Sequence, residues 1–190
     1  MNQALIFLLE TFFGLFALAL LLRFYLQAVS APARNPLSQF IAALTNFAVI
    51  PARRVVPGLW GYDLSSLLLA WLTELVLVVL VLLLKGYAMG ALSGTALAVL
   101  AAMAALSLVR TFLYILMVAV FAQALLSWIG QNSPAMPLLA AFTRPFLRIF
   151  QRRIPLVGGV DLSPLFVLVL CQVLLLWPVS SLEKLLTRSI

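Results

Sequence analysis

The stretch Ala52–Leu67, "ARRVVPGLWGYDLSSL", is written a second time at Phe150–Leu165 as "FQRRIPLVGGVDLSPL", ninety-eight positions further on. At that offset Pro36, Thr45, Arg54, Pro57, Gly61, Asp63, Leu64, Ser65 and Leu67 recur as Pro134, Thr143, Arg152, Pro155, Gly159, Asp161, Leu162, Ser163 and Leu165. The two copies are therefore one loop used twice. Both are basic, and basic loops between apolar segments stay on the cytoplasmic side of a membrane. An even number of spans must then separate them.

Composition supplies the membrane. Of 190 residues, 65% are hydrophobic and 9% charged, where a soluble domain carries roughly 25% charged residues. So few charges do not cover a surface in water. The excess of twelve Lys and Arg over five Asp and Glu is not spread over a soluble basic face, as nucleic-acid binding requires. It gathers in the loops as Arg34, Arg53, Arg54, Arg144, Arg148, Arg152 and Arg153. Anionic lipid headgroups at the cytoplasmic face are the first expected partner, ahead of a homo-oligomer or another membrane protein, and nucleic acid is not expected. The chain has no His and one Cys, Cys171. A Cys-based zinc site, an internal disulfide and the usual Ser-His-Asp and Cys-His constellations lack their central residues. No catalytic, cofactor or metal site is expected. The opening "MNQALIFLLE" has no basic n-region and holds Glu10, so it reads as the start of a first membrane helix rather than a secretory signal.

Parity fixes the helix count. Between Gly86 and Gly130 lies an apolar tract broken only by Arg110, long enough for one long helix or two spans. Two spans between the repeated loops keep both on one side, and three do not. This predicts an all-α membrane protein with four spanning helices, 4–27, 65–84, 106–128 and 163–180. Residues 1–86 make a first helix–loop–helix unit with its basic loop at 28–64. Residues 87–190 make a second, with an extension at 87–105, a basic loop at 129–162 and a short tail. Residues 86–105 read as a tight turn followed by an outer extension or a re-entrant piece. The units are expected to be parallel, about an approximate two-fold axis along the membrane normal, with both termini facing out.

Each loop reads as a re-entry device. Asn35-Pro36 and Ser133-Pro134 are helix-start signals. Residues 36–47 and 145–153 are expected to form short amphipathic helices in the interface. Phe47, Phe146 and Phe150 then face down, and Arg148 and Arg152 share a face among headgroups. Pro57 and Pro155 stop these helices, and Gly61 and Gly159 permit the reversal. Ser65 and Ser163 are expected to cap the next spans, with Pro164 at the first position of the last. Asp63 and Asp161 precede those caps, where a negative charge is favourable. Each is expected to pair with an arginine of its own loop, Arg54 and Arg152.

These residues carry a resemblance. "LLRFYLQ", "NPLSQF", "ARRVVPGLWGYDLSSL" and "RPFLRIFQRRIPLVGGVDLSPL" resemble the YggT family, called YlmG in Gram-positive bacteria and chloroplasts, over nearly the whole chain and in its two-unit form. Arg23, Asn35-Pro36, Arg53-Arg54, Pro57 and Asp63-Leu64-Ser65 occupy the signature positions. The second unit departs from them, with Phe121 where the offset puts Arg23 and Ser133 for Asn35. The resemblance implies a bacterial inner-membrane protein of a family without an agreed biochemical activity. It also implies links to osmotic-stress tolerance and potassium handling, to cell division or shape, and in plastids to nucleoid distribution and cytochrome maturation.

The intramembrane polar residues leave alternatives open. Glu10 and Arg110 lie at similar expected depths, so an ion pair between them neutralises both. Glu74 and its repeat counterpart Gln172 sit near the middle of their spans. They either line a cation or proton path or hydrogen-bond across helices, Glu74 to Gln123 or Gln172. The arginine clusters are either topology signals alone or, with Arg148, Arg152 and Arg153 foremost, a site for anionic lipid or an acidic partner. The function classes are an ion-handling protein linked to osmotic stress, or a membrane scaffold or assembly factor, and not an enzyme.

Overall fold

A computed structural model describes residues 2–31, 35–56, 58, 62–87, 94–129, 135–153 and 161–188. Every regular element among them is helical: α1 (Asn2–Ala28), α2 (Pro36–Val55), α3 (Leu64–Leu84), α4 (Gly94–Ile129), α5 (Met136–Gln151), α6 (Ser163–Leu174), a π-helical turn (Leu175–Val179) and α7 (Ser180–Arg188). Four helical stretches are long and apolar enough to cross a membrane: α1, α3, Thr95–Ser127 of α4, and Ser163–Arg188. They are apolar on all sides, as helices are whose outer faces meet lipid rather than water.

The helix ends follow from local chemistry. Asn35 caps α2, its side chain accepting from the Leu37 N–H at 2.9 Å, with Pro36 at the first turn. At the end of α3, Gly86 (φ +84°) takes the left-handed conformation, and its N–H reaches the Leu83 carbonyl at 3.0 Å while that of Tyr87 reaches Leu82 at 3.2 Å. Paired bonds of this kind close a helix whose next residue has no Cβ to clash. After residues 88–93, which lie outside the described residues, α4 runs unbroken for 36 residues, about 54 Å at the usual rise. Residues 94–105 are therefore the first turns of this long helix, not a re-entrant piece.

Two expectations on the short helices need correction. The helix expected over 36–47 continues to Val55 with Pro51 inside it, and that expected from 145 begins at Met136 with Pro145 inside. Proline removes one amide bond from a helix, and the packed face of each helix holds it together across the gap. That face is turned to the bundle. Helix α2 buries Ile41, Thr45 and Val49, one residue per turn, and α5 buries Leu138, Phe142, Thr143 and Leu147. Phe47 stacks on Phe16 of α1 at 5.4 Å, and Phe150 on Phe166 of α6 at 6.2 Å.

Helices α1 and α3 pack most closely. Ala17, Leu20 and Ala70 have no exposed surface, and Leu20, Leu21, Val49, Ala70 and Leu108 form one buried cluster. A second cluster brings Leu26, Ile41, Leu138 and Phe142 together, so α2 and α5 meet the same end of α1. An aromatic group locks this end. The Tyr25 ring lies 4.4 Å from Phe142 and 5.1 Å from Phe112, and its hydroxyl donates to the Phe142 carbonyl at 2.9 Å.

Candidate functional site

Where α1, α2 and α3 converge, a single carboxylate organises the polar residues. Asp63 precedes α3 and its side chain is 1% exposed. Arg53, in the last turn of α2, donates to it through Nη2 at 2.6 Å and Nε at 3.3 Å. The Ser66 hydroxyl donates to Oδ2 at 2.6 Å. Arg23 of α1 brings its Nε to 3.6 Å from the same oxygen, and its Nη1 donates to Thr45 Oγ1 at 2.7 Å and Asn46 Oδ1 at 2.9 Å on α2. Three helices are thus tied by two guanidiniums and one carboxylate.

The electrostatics follow. Burial alone pushes the Asp63 carboxyl up, but the Arg53 and Ser66 hydrogen bonds and the charges of Arg53 and Arg23 outweigh it and hold the group below its ordinary value. The hydrogen bond to Asp63 in turn raises Arg53 against its burial.

The second copy is built differently. Asp161 accepts from the Gln151 side-chain amide at 2.8 Å and from the Ser163 N–H at 2.8 Å. Burial pushes its carboxyl up, and these bonds bring it below the ordinary value without a cation. The offset maps Arg53 onto Gln151 and Arg23 onto Phe121, so both cations of the first site are absent by substitution.

Several expected roles change. Asp63 pairs with Arg53 and Arg23, not Arg54, and Asp161 with Gln151, not Arg152. One residue rotates a side chain by about 100° around a helix, and the residue facing the turn comes ten positions before each Asp, not nine. Arg54, Arg144, Arg148, Arg152 and Arg153 are exposed. Ser65 does not cap α3, because its hydroxyl donates to the Val56 carbonyl at 2.5 Å. Ser163 does not cap α6: it is the helix's first residue, and its N–H donates to Asp161. Pro57, Gly61, Pro155 and Gly159 lie outside the described residues.

The intramembrane residues also regroup. Glu10 is exposed and does not meet Arg110, which pairs with Glu183 of α7. Glu183 reaches that depth because the fourth helix passes Pro178 through its π-helical turn and continues to Arg188. A π-bulge accommodates a residue that cannot donate. Glu74 is buried at 5% exposure, near enough to Arg110 to feel its charge. Gln172 is exposed, so the two repeat counterparts do not share an environment. Gln123 accepts from the Thr143 hydroxyl, which also reaches the Leu139 carbonyl at 2.9 Å.

Similarity to known proteins agrees with this frame. The family model described as CCB3/YggT matches residues 2–84 and again 102–182. An uncharacterized protein of Pseudomonas aeruginosa is 36% identical over 168 residues, covering 87% of this chain and 83% of its own. An uncharacterized Vibrio alginolyticus protein from the proC 3' region is 35% identical over 161 residues, covering 84% of each chain. The uncharacterized protein YggT of Escherichia coli K12 is 30% identical over 173 residues, covering 90% of this chain and 87% of its own. No solved structure matches. With four apolar helices able to span a membrane and a match across both halves, this chain belongs to the CCB3/YggT family.

Proposed function

We propose that this protein is a non-enzymatic multi-pass protein of the bacterial inner membrane. It acts as a scaffold whose cytoplasmic face gathers anionic lipid headgroups, and through them or directly an acidic partner segment. The observation that carries this reading is the set of arginines left over from the fold. Arg23 and Arg53 hold the helices together, while Arg54, Arg144, Arg148, Arg152 and Arg153 are exposed and form no ion pair among the described residues. They stand on α2, α5 and the residues just after α5, which share one end of the bundle. In this reading each basic loop joins the two spans of one unit of a two-unit repeat, its short helix lies along the interface, and the termini face out.

A basic residue near an anionic surface contributes about 1 kcal/mol. Changing Arg148, Arg152 and Arg153 together to Gln therefore weakens lipid recruitment by about 3 kcal/mol, on the order of a hundredfold. Cells that depend on the protein should lose its function with this variant at unchanged protein level.

A second reading, ion homeostasis under osmotic stress, draws on one observation: Glu74, buried in the middle of α3 beside the field of Arg110. In that reading Glu74→Gln abolishes salt or osmotic tolerance and the triple arginine variant does not. In the scaffold reading Glu74→Gln is silent. Retained function in the arginine variant, with loss in Glu74→Gln, overturns the scaffold.

A further inference from the structure

We propose that the cavity between the ends of α1 and α2 seats the phosphate of an anionic phospholipid, with one acyl chain lying in the apolar groove between α1, α4 and α5. This rests on the reading of the basic face as a lipid platform and gives that platform one defined seat. The cavity, about 500 Å³, is lined by Arg23 and Arg53 together with polar Gln27, Ser30, Ser38 and Gln39.

Donor counting favours an anion there. A guanidinium has five N–H groups. Arg23 commits Nη1 to Thr45 and Asn46 and turns Nε toward Asp63, which leaves the two Nη2 hydrogens unbonded among the described residues. Arg53 commits Nε and one Nη2 hydrogen to Asp63, which leaves three unbonded among the described residues. Two positive charges that feel each other thus face one carboxylate, and the site carries one uncompensated positive charge with donors to spare. A phosphate oxygen accepts from such donors in the charge-assisted geometry that arginine favours.

The neighbourhood selects an amphiphile over a free anion. An apolar groove of about 310 Å³ adjoins the cavity. Leu26 borders both, and Leu37 of the groove is followed on α2 by Ser38 of the cavity. From there the groove passes Leu22 and Ala122 to Tyr114 and Leu18, away from the loop end of α1. An acyl chain fits that direction and that lining, and an acidic peptide leaves it empty. A larger groove of about 730 Å³ on the other side of α1, past Leu21, Trp71 and Phe112, has no charged residue in its lining and lacks this pairing of head and tail.

The test uses the full-length protein purified in detergent, with bound lipid counted by native mass spectrometry after adding phosphatidylglycerol, phosphatidylcholine or inorganic phosphate. The expected result is at least tenfold preference for phosphatidylglycerol, not competed by inorganic phosphate. Ala122→Phe, which fills the groove away from the arginines, should lose at least tenfold of that binding. Arg53→Gln should do the same with the groove intact, and it copies the Gln151 that the second unit carries at this position. Lys85→Gln, at the far end of α3, should change nothing. Melting curves without lipid establish that each variant is folded. Equal retention of both lipids, full competition by phosphate, or undiminished binding in folded Ala122→Phe overturns the proposal. Undiminished binding there, together with loss of function in the triple arginine variant, removes the seat and leaves the platform standing.

Discussion

Asp63→Asn is expected to cost about 3 kcal/mol of folding stability, and Asp161→Asn at most about 1 kcal/mol. The two residues are equivalents in the repeated sequence, yet their surroundings differ. Asp63 is enclosed, with Arg53, Arg23 and Ser66 on its two oxygens. Neutralising it leaves two guanidiniums facing each other with no counter-charge. Losing one partner of a buried pair costs about 3–5 kcal/mol, and the lower end applies because Arg53 keeps access to water. Asp161 is exposed, and its partners are an amide side chain on one oxygen and a backbone N–H on the other, so Asn keeps the backbone bond and exchanges the exposed amide bond for water.

The pH dependence follows with its sign. The Asp63 carboxyl titrates below its ordinary value in the folded protein, so its contribution is fully present above the unfolded pKa of about 3.9. It is lost as pH falls through the lower, folded value. Thermal melts in detergent should show the wild type losing stability below about pH 4 and Asp63→Asn losing much less over the same range. Equal costs for the two Asn variants would mean that the arginine cluster does not hold the helices.

The second large effect is steric. On α3, Ser66, Ala70 and Glu74 follow one another at every fourth position, at 0%, 0% and 5% exposure. Ala70 sits in the cluster formed with Leu20 and Leu21 of α1 and Leu108 of α4. Small residues at such a crossing let backbones approach closely, the main source of helix association in lipid. Ala70→Leu inserts three carbons where there is no space and should cost about 3 kcal/mol, the upper end for overpacking. Leu72→Phe, on the face where Leu72 is 40% exposed, should stay within about 0.5 kcal/mol. Melting temperatures of the two variants check this, and a reversed order contradicts the packing of α1 on α3.

The four long helices were legible because each apolar stretch exceeds what a soluble helix needs, and because the repeated loop constrains their parity. The loop's details were less legible. Which arginine meets Asp63 depends on helical phase, and reading back nine residues instead of ten selected Arg54 over Arg53. Arg23 comes from another helix, which spacing within the loop does not reveal. A signal was nevertheless present. Of the four arginines of the first unit, Arg23, Arg34 and Arg53 map onto uncharged Phe121, Asn132 and Gln151 in the second, and two of these three, Arg23 and Arg53, meet at Asp63. Residues that disappear together between copies of a repeat point to a shared contact. The Arg110–Glu183 pair was hidden for a different reason: the fourth span was expected to end at 180, and the π-helical turn around Pro178 carries the helix on to Arg188.

The scaffold reading stands on both arginine clusters facing the cytoplasm, and one labelling experiment addresses that directly. Arg54→Cys and Arg152→Cys, each made in a Cys171→Ser background, place single thiols at exposed positions outside the Asp63 cluster. A membrane-impermeant maleimide should label both in inside-out membrane vesicles and neither in right-side-out ones. Labelling of the two positions from opposite faces, or of both from outside, would contradict the shared cytoplasmic face and with it the proposed function.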